Sequence, residues 1–226
     1  MSRLPQPDGR EREGRSAALH DETVIRDETE LRSVLGMPSD LVRAKVRDRL
    51  DHLTRQFVER SPFVLLATSG EDGTCDVSPR GDPPGFVRVL DERTLLLPER
   101  PGNRLADSLR NVLANRSVGL LFVIPGVGDT LRVNGRATLV ADEELLAASA
   151  VEGKVPRLGF VIEVEEVFTH CSKAFLRAQL WDPARYVDRA ELPSSGEIHR
   201  ARDPSFDAEA YDTERAGRYA RREGFY

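Results

Sequence analysis

Between residues 63 and 168, short apolar runs alternate with turn signals only three to five residues long. Parallel strands need a crossover of about a dozen residues, so runs joined this tightly pair antiparallel. Phe63–Ser69 ends at Gly70-Glu71-Asp72-Gly73, and Cys75–Asp82 is the returning strand. Phe86–Leu90 and Thr94–Leu97 flank Asp91-Glu92-Arg93. Ser117–Ile124 turns at Pro125-Gly126-Val127-Gly128-Asp129 into Thr130–Val140, and Leu158–Phe168 is the last long run. Ser117–Ile124 is apolar almost throughout, which predicts a central strand covered on both faces. Thr130–Val140 alternates: Leu131, Val133, Ala137 and Leu139 face one way, and Arg132, Asn134, Arg136 and Thr138 the other. The prediction is a mainly β fold with flanking helices, a six-stranded antiparallel barrel in preference to a doubly wound sheet. Closing a barrel also removes the exposed edges that apolar strands would otherwise leave.

Helices are expected around this core. Asp27 with Glu30 three residues on has the form of a capping box, and Gly36 can end the helix it starts. A longer helix is predicted over 39–60, with Val42, Val46, Leu50, Leu53 and Phe57 as one apolar stripe packed on the barrel. A third runs from Asn103 to Asn115, with Leu105, Leu109, Val112 and Leu113 on one face. A short acidic helix starts near Asp142, and another spans about 207–222. The chain thus divides into a disordered segment (1–26), N-terminal helices (27–60), the barrel (61–181) and a C-terminal extension with a helix (182–226).

Composition enters where it excludes partners. The 226 residues carry a formal charge of −5, whereas phosphate neutralisation along a nucleic acid needs a basic face. The longest apolar run, Val118 to Ile124, is far short of the roughly 20 residues of a membrane span. The first residues, MSRLPQPDGREREGR, lack the apolar core of a secretory signal, and two cysteines make no disulfide framework. A cytoplasmic protein with reduced thiols is expected. Lys45, Lys154 and Lys173 are the only lysines among 33 basic residues. Anion recognition here therefore falls to arginine forks, and a placed lysine stands out.

Familiar catalytic motifs are missing. Gly126-Val127-Gly128 lacks the third glycine and following helix of a dinucleotide loop, and there is no GxxxxGK[ST], HExxH or CxxC. His170-Cys171 points its two side chains to opposite faces of a strand, so no metal site is expected there. Cys75 and Cys171 are expected as small buried residues.

Four segments carry the remaining chemistry. Asp76 to Phe86 interrupts a strand with Pro79, Arg80, Gly81 and Pro83-Pro84, a rigid bend around one arginine beside Ser78. Pro98 to Arg104 joins a strand to a helix N-terminus, where Asn103 can cap and Arg100 and Arg104 can cradle a phosphate. Thr130 to Arg136 offers a polar strand face with Thr130 and Arg132. Thr169 to Arg177 holds Lys173 and leads to Trp181, the only tryptophan. Taken singly, each has an ordinary alternative: a barrel corner, a helix cap, a solvent-facing strand, a surface lysine with an anchoring tryptophan.

In this order the segments resemble the pyridoxamine 5'-phosphate oxidase-like family of FMN-binding split barrels, in an uncharacterised bacterial branch. The text that carries the resemblance is SPFVLLATSGEDGTCDVSPRGDPPGFVRVLDERTLLLPERPGNRLADSLRNVLANRSVGLLFVIPG, then DTLRVNGRATLV, then HCSKAFLRAQLW. It covers about residues 27–182. The resemblance implies a six-stranded split β-barrel and a homodimer with FMN at the subunit interface. Ser78, Arg80, Gly81, Arg100, Asn103 and Arg104 would hold the phosphate and ribityl end. Thr130 and Arg132 would reach the flavin from the partner subunit, and Lys173 and Trp181 would approach the ring. Family oxidases often have glutamine where Thr130 stands.

The activity it implies is FMN-dependent oxidoreduction, with hydride or electron transfer through flavin N5 to a small-molecule substrate or from NAD(P)H. Such transfer needs no acid, base or nucleophile from the protein, in keeping with the missing triad and metal motifs. Alternatives on the same fold are a flavin- or haem-binding carrier or sensor, for which His170 is the histidine to consider, and a deazaflavin-dependent reductase. The family's C-terminal substrate-binding arginine–histidine pattern has only Ile198-His199-Arg200 as a counterpart, in reverse order, so pyridoxine phosphate oxidation itself is not expected.

Overall fold

Tight turns do set the topology. A computed structural model describes residues 23–226; of the segment predicted to be disordered (1–26), residues 1–22 lie outside the described residues. The chain forms two units, one ending at Arg43 and one spanning Ala44–Tyr226.

The first unit holds α1 (Glu28–Leu35) and α2 (Asp40–Arg43). The Asp27 side chain accepts from the Glu30 N–H at 2.8 Å and caps α1, and Gly36 ends it at φ 72°.

The second unit begins with α3 (His52–Arg60), so the helix predicted over 39–60 is broken. The cause is competition for its backbone. Arg47 exchanges backbone hydrogen bonds with Val167 at 3.0 and 2.7 Å, and Leu50 N–H donates to Glu92 C=O at 2.8 Å. Asp51 and Thr54 then form a capping box that restarts the helix. Of the predicted stripe, Leu50 is buried and Phe57 packs on the core, while Val42, Val46 and Leu53 are exposed.

Seven strands follow: β1 (Phe63–Ser69), β2 (Cys75–Gly81), β3 (Arg88–Asp91), β4 (Thr94–Glu99), β5 (Ser117–Val123), β6 (Thr130–Val140) and β7 (Leu158–His170). They form one antiparallel sheet in the order β2-β1-β5-β6-β7-β4-β3. Each of the seven runs read from the sequence forms a strand, one more than the six of the expected barrel, and the run at Phe86–Leu90 becomes the edge strand β3. Pro79 is tolerated because β2 is the opposite edge of the sheet. No backbone ladder joins β2 to β3 or β4 among the described residues. Side chains bridge that seam instead, and the barrel is split there.

One face of the sheet encloses the core. Val64, Leu66, Leu120, Phe122, Leu131, Val133, Phe160 and Ile162 are almost fully buried and alternate along their strands. Gly135 is required by packing: a Cβ there would stand 2.1 Å from the Glu163 carbonyl oxygen. β5 is central, but only one of its faces is fully covered within the chain; Gly119, Leu121 and Val123 are half-buried. α4 (Asp107–Ala114) lies between β4 and β5 in sequence, and it packs against β1 and β6. It starts four residues later than predicted, which leaves Leu105 outside the helix and exposed; within it Val112 is buried and Leu109 packs on the core, while Leu113 is exposed.

Asp142 caps the short α5 (Glu143–Ala147). After β7 come α6 (Lys173–Ala178), α7 (Ser195–Arg202) and α8 (Ala208–Ala220). Both cysteines are exposed, contrary to expectation. Among the described residues, no helix is long and apolar enough to cross a membrane.

Candidate functional site

The seam between the edge strand β2 and the end of β4 holds a cavity of about 220 Å³. Arg80 and Gly81 line it from one side, Glu99, Arg100 and Gly102 from the other, and Phe86 contributes apolar wall. Arg80 Nε donates to Glu99 Oε2 at 2.9 Å, and its Nη1 donates to Ser78 Oγ at 2.9 Å and the Pro79 carbonyl at 3.0 Å. Ser78 Oγ in turn lies 3.0 Å from Ser108 Oγ on α4. Arg80 is thus fixed from three directions, with its side chain only 15% exposed.

Arg100 is held as firmly. Its Nε donates to Asp82 Oδ2 at 2.5 Å and its Nη2 to the Ser149 carbonyl at 2.8 Å. The Asp82 side chain is 1% exposed, a position a carboxylate tolerates only when paired and hydrogen-bonded. Its second oxygen accepts from the Tyr226 hydroxyl at 2.7 Å. Arg100 Nη1 makes no hydrogen bond among the described residues.

The chain leaves the cavity at Gly102 and enters α4 through an unusual turn. Asn103 does not cap the helix; its Oδ1 accepts from the Leu105 N–H at 2.9 Å. The residue at the cap position is Ala106, in the left-handed conformation, with no side chain bonded to the first-turn N–H groups. Arg104 is left-handed as well, at φ 64°, and it is exposed and unpartnered among the described residues. Left-handed backbone costs a non-glycine residue about 1–2 kcal/mol, and such strain clusters at binding sites.

The other predicted residues lie elsewhere. In the ladder, Arg80 faces Val64, Val64 faces Phe122, and Phe122 faces Leu131, all on the core face. Arg132 belongs to the opposite row, Pro79–Leu65–Leu121–Arg132–Phe168, which crosses five strands on the outer face. Within one chain, Arg132 therefore cannot turn into the Arg80–Arg100 cavity. Arg132 Nη2 pairs with Glu166 Oε1 at 2.5 Å, its guanidinium lies 5.3 Å from the Phe168 ring centroid, and its buried Nε has no partner. Thr130 is buried at the start of β6, opposite His170. Burial and, secondarily, the Arg132 charge hold the His170 pKa below its usual value, which favours the neutral imidazole.

Lys173 is exposed at the first position of α6. Trp181 Nε1 donates to the Val127 carbonyl at 2.9 Å, and its ring stands 5.8 Å from that of Phe175, which fastens the segment after α6 to the β5–β6 turn. Neither residue lines the cavity. Three residues that hold the site together were not foreseen: Glu99, Asp82 and Tyr226. The first two stand inside the segments that drew attention. Tyr226 is 144 residues from Asp82, and no local pattern announces their contact.

The sequence pattern of the pyridoxamine 5'-phosphate oxidase family matches residues 50–171, more than half of the chain. The protein belongs to this family. Solved structures similar to this member include a putative pyridoxamine 5'-phosphate oxidase from Lactobacillus delbrueckii (23% identity, 54% of this chain and 95% of that chain, TM-score 0.42). They also include HupZ of Group A Streptococcus (16%, 53% and 93%, TM-score 0.43) and HutZ, the heme storage protein of Vibrio cholerae (14%, 54% and 94%, TM-score 0.38). No curated protein matches. The family match starts at Leu50 and stops at Cys171, so it covers α3 and the seven strands, and α6 to Tyr226 lie outside it.

Proposed function

We propose that this family member is an FMN-dependent oxidoreductase that works as a homodimer, with FMN seated between the seam cavity of one subunit and the outer sheet face of its partner. The observation that carries the reading is the left-handed turn at Arg104 and Ala106. It leaves the α4 N-terminus without a side-chain cap, beside an unpartnered arginine and next to the cavity. Free N–H groups at a helix N-terminus, with one guanidinium beside them, match a phosphate dianion.

The donor set suits FMN. Arg104 and the α4 N–H groups are uncommitted. Arg80 and Arg100 are engaged by Glu99 and Asp82, so they shape the cavity and contribute only the directions left over, such as Arg100 Nη1. Arg132 brings a buried Nε that lacks an acceptor, and a flavin or subunit laid on the outer face would supply one. When bound, FMN supplies hydride or electron transfer at N5. The chain's own task is to anchor the phosphate, orient the ring and exclude water.

The dimer reading rests on the same outer face. Leu65, Leu121, Val123 and Phe168 are half-buried there, and Val77 is 65% exposed. A second copy would complete their burial and bring Arg132 to the partner's cavity.

Protein purified from cells would carry flavin absorption, or bind added FMN, and it would elute as a dimer. A colourless monomer that ignores FMN would overturn the reading. A Soret band would replace it with haem carriage through the His170 face, and binding of a deazaflavin coenzyme in place of FMN would replace it with the deazaflavin reductase. Stable FMN without any NAD(P)H oxidation would leave a carrier.

A further inference from the structure

The segment after α8 lies outside the family match, yet it reaches the candidate cofactor site. Tyr226 donates its hydroxyl to Asp82 Oδ1 at 2.7 Å, while Asp82 Oδ2 receives Arg100. Its ring lies under the Arg100 guanidinium at 5.2 Å and near that of Arg222 at 5.6 Å. Two contacts fasten the segment down: Lys154 Nζ donates to the Tyr226 carbonyl at 3.2 Å, and Arg222 pairs with Glu152 at 2.9 Å.

These contacts act on Arg100. Its Nε is turned to Asp82 and its Nη2 to the Ser149 carbonyl, and the aromatic face of Tyr226 covers one side of the guanidinium plane. Nη1 remains free. The phenol also spends one lone pair of the Asp82 carboxylate. Without it, a nearly buried carboxylate beside an anion site would be left with an unsatisfied oxygen, and it would draw harder on Arg100.

We infer that Tyr226 is a positioning residue for Arg100, one that sets the preference of the cavity for a phosphate-bearing flavin over the same flavin without phosphate. This rests on the FMN reading above. The hydrogen bond to Asp82, together with burial and the Asp82 charge, raises the phenol pKa against the opposing charges of Arg222 and Arg100.

The test compares FMN with riboflavin on the full chain and on the variants Tyr226→Phe and Tyr226→Ala. Tyr226→Phe keeps the ring over Arg100 and deletes only the bond to Asp82, so it is the variant that stays folded. FMN affinity should fall roughly five- to tenfold in Tyr226→Phe and further in Tyr226→Ala, with riboflavin affinity unchanged. Ultraviolet titration should lose a raised phenol titration in Tyr226→Phe. Equal weakening of both flavins would mean a merely structural role and would overturn the inference, as would an unchanged FMN-to-riboflavin ratio. A wild-type protein that binds neither flavin would instead overturn the FMN reading on which the inference stands.

Discussion

Arg80 on the edge strand β2 and Glu99 at the end of β4 meet at 2.9 Å across a gap that no backbone hydrogen bond spans among the described residues. This pair, with Arg100–Asp82 behind it, joins the two lips of the split barrel and forms the wall of the candidate site. The same four charges therefore close the fold and border the candidate site, and substitutions here test the two roles separately.

Replacing Glu99 with Gln weakens the seam and releases Arg80. Thermal or urea unfolding should show a loss of about 1–3 kcal/mol, the range for a hydrogen bond to a charged group. FMN should bind more tightly, because a negative charge leaves the cavity wall. Weaker FMN binding in Glu99→Gln would mean that Glu99 itself contacts the ligand.

Arg104 separates strain from binding. Glycine adopts φ 64° freely, so Arg104→Gly should raise stability by about 1 kcal/mol. The same change removes the uncommitted guanidinium and should weaken FMN at least tenfold. A variant that is less stable, or equally good at binding FMN, would show that the turn is held for another reason.

Gly135 sits at the bulge of β6, and a methyl group there would collide with the Glu163 carbonyl. Gly135→Ala must push β6 and β7 apart, at a cost of about 1–3 kcal/mol or more. Because this change moves the outer-face row as well as the core, it should weaken the proposed dimer, read by sedimentation as a shift towards monomer.

Asp48 ties the segment before α3 to the β3–β4 turn through Arg93, and its neighbour Arg49 pairs with Asp48 at 3.1 Å and with Glu92 of that turn at 3.0 Å. Hydrogen bonds from Arg49 and then Arg93 lower its pKa from 3.8 to about 2. A lowered carboxylate pKa contributes stability above the unfolded-state value, and that contribution is lost as pH falls through the folded-state value. The contribution should be complete above about pH 5 and be lost progressively down to about pH 1, and carboxyl NMR of Asp48 should place its midpoint at about 2. Asp48→Asn should abolish that acid-dependent step. The pair is exposed, so added salt should weaken it.

The barrel was legible because period-two alternation and tight turns leave few topologies open. Leu131, Val133 and Ala137 turn inward as their spacing requires. The 39–60 helix was not legible: its apolar spacing is helical, but Arg47 and Leu50 find strand and turn partners far along the chain that no local pattern records. The same limit applies at the site. Arg80, Arg100 and Arg104 announced themselves through proline- and glycine-rich settings. The acids that engage two of them looked like ordinary surface charge until the seam brought Asp82 and Glu99 inside. Asn103 has the residue type of a cap, but the left-handed turn moved the helix start beyond its reach.

The two edges of the sheet also bear on how the protein survives at high concentration. A foreign strand seeking to extend the sheet at β2 meets Pro79, which has no N–H to offer. At the other end it finds β3, only four residues long. Each lip of the split is thus a poor template for runaway strand addition. A barrel whose sheet stays open along one seam thus has both of its free borders built to discourage pairing with copies of itself.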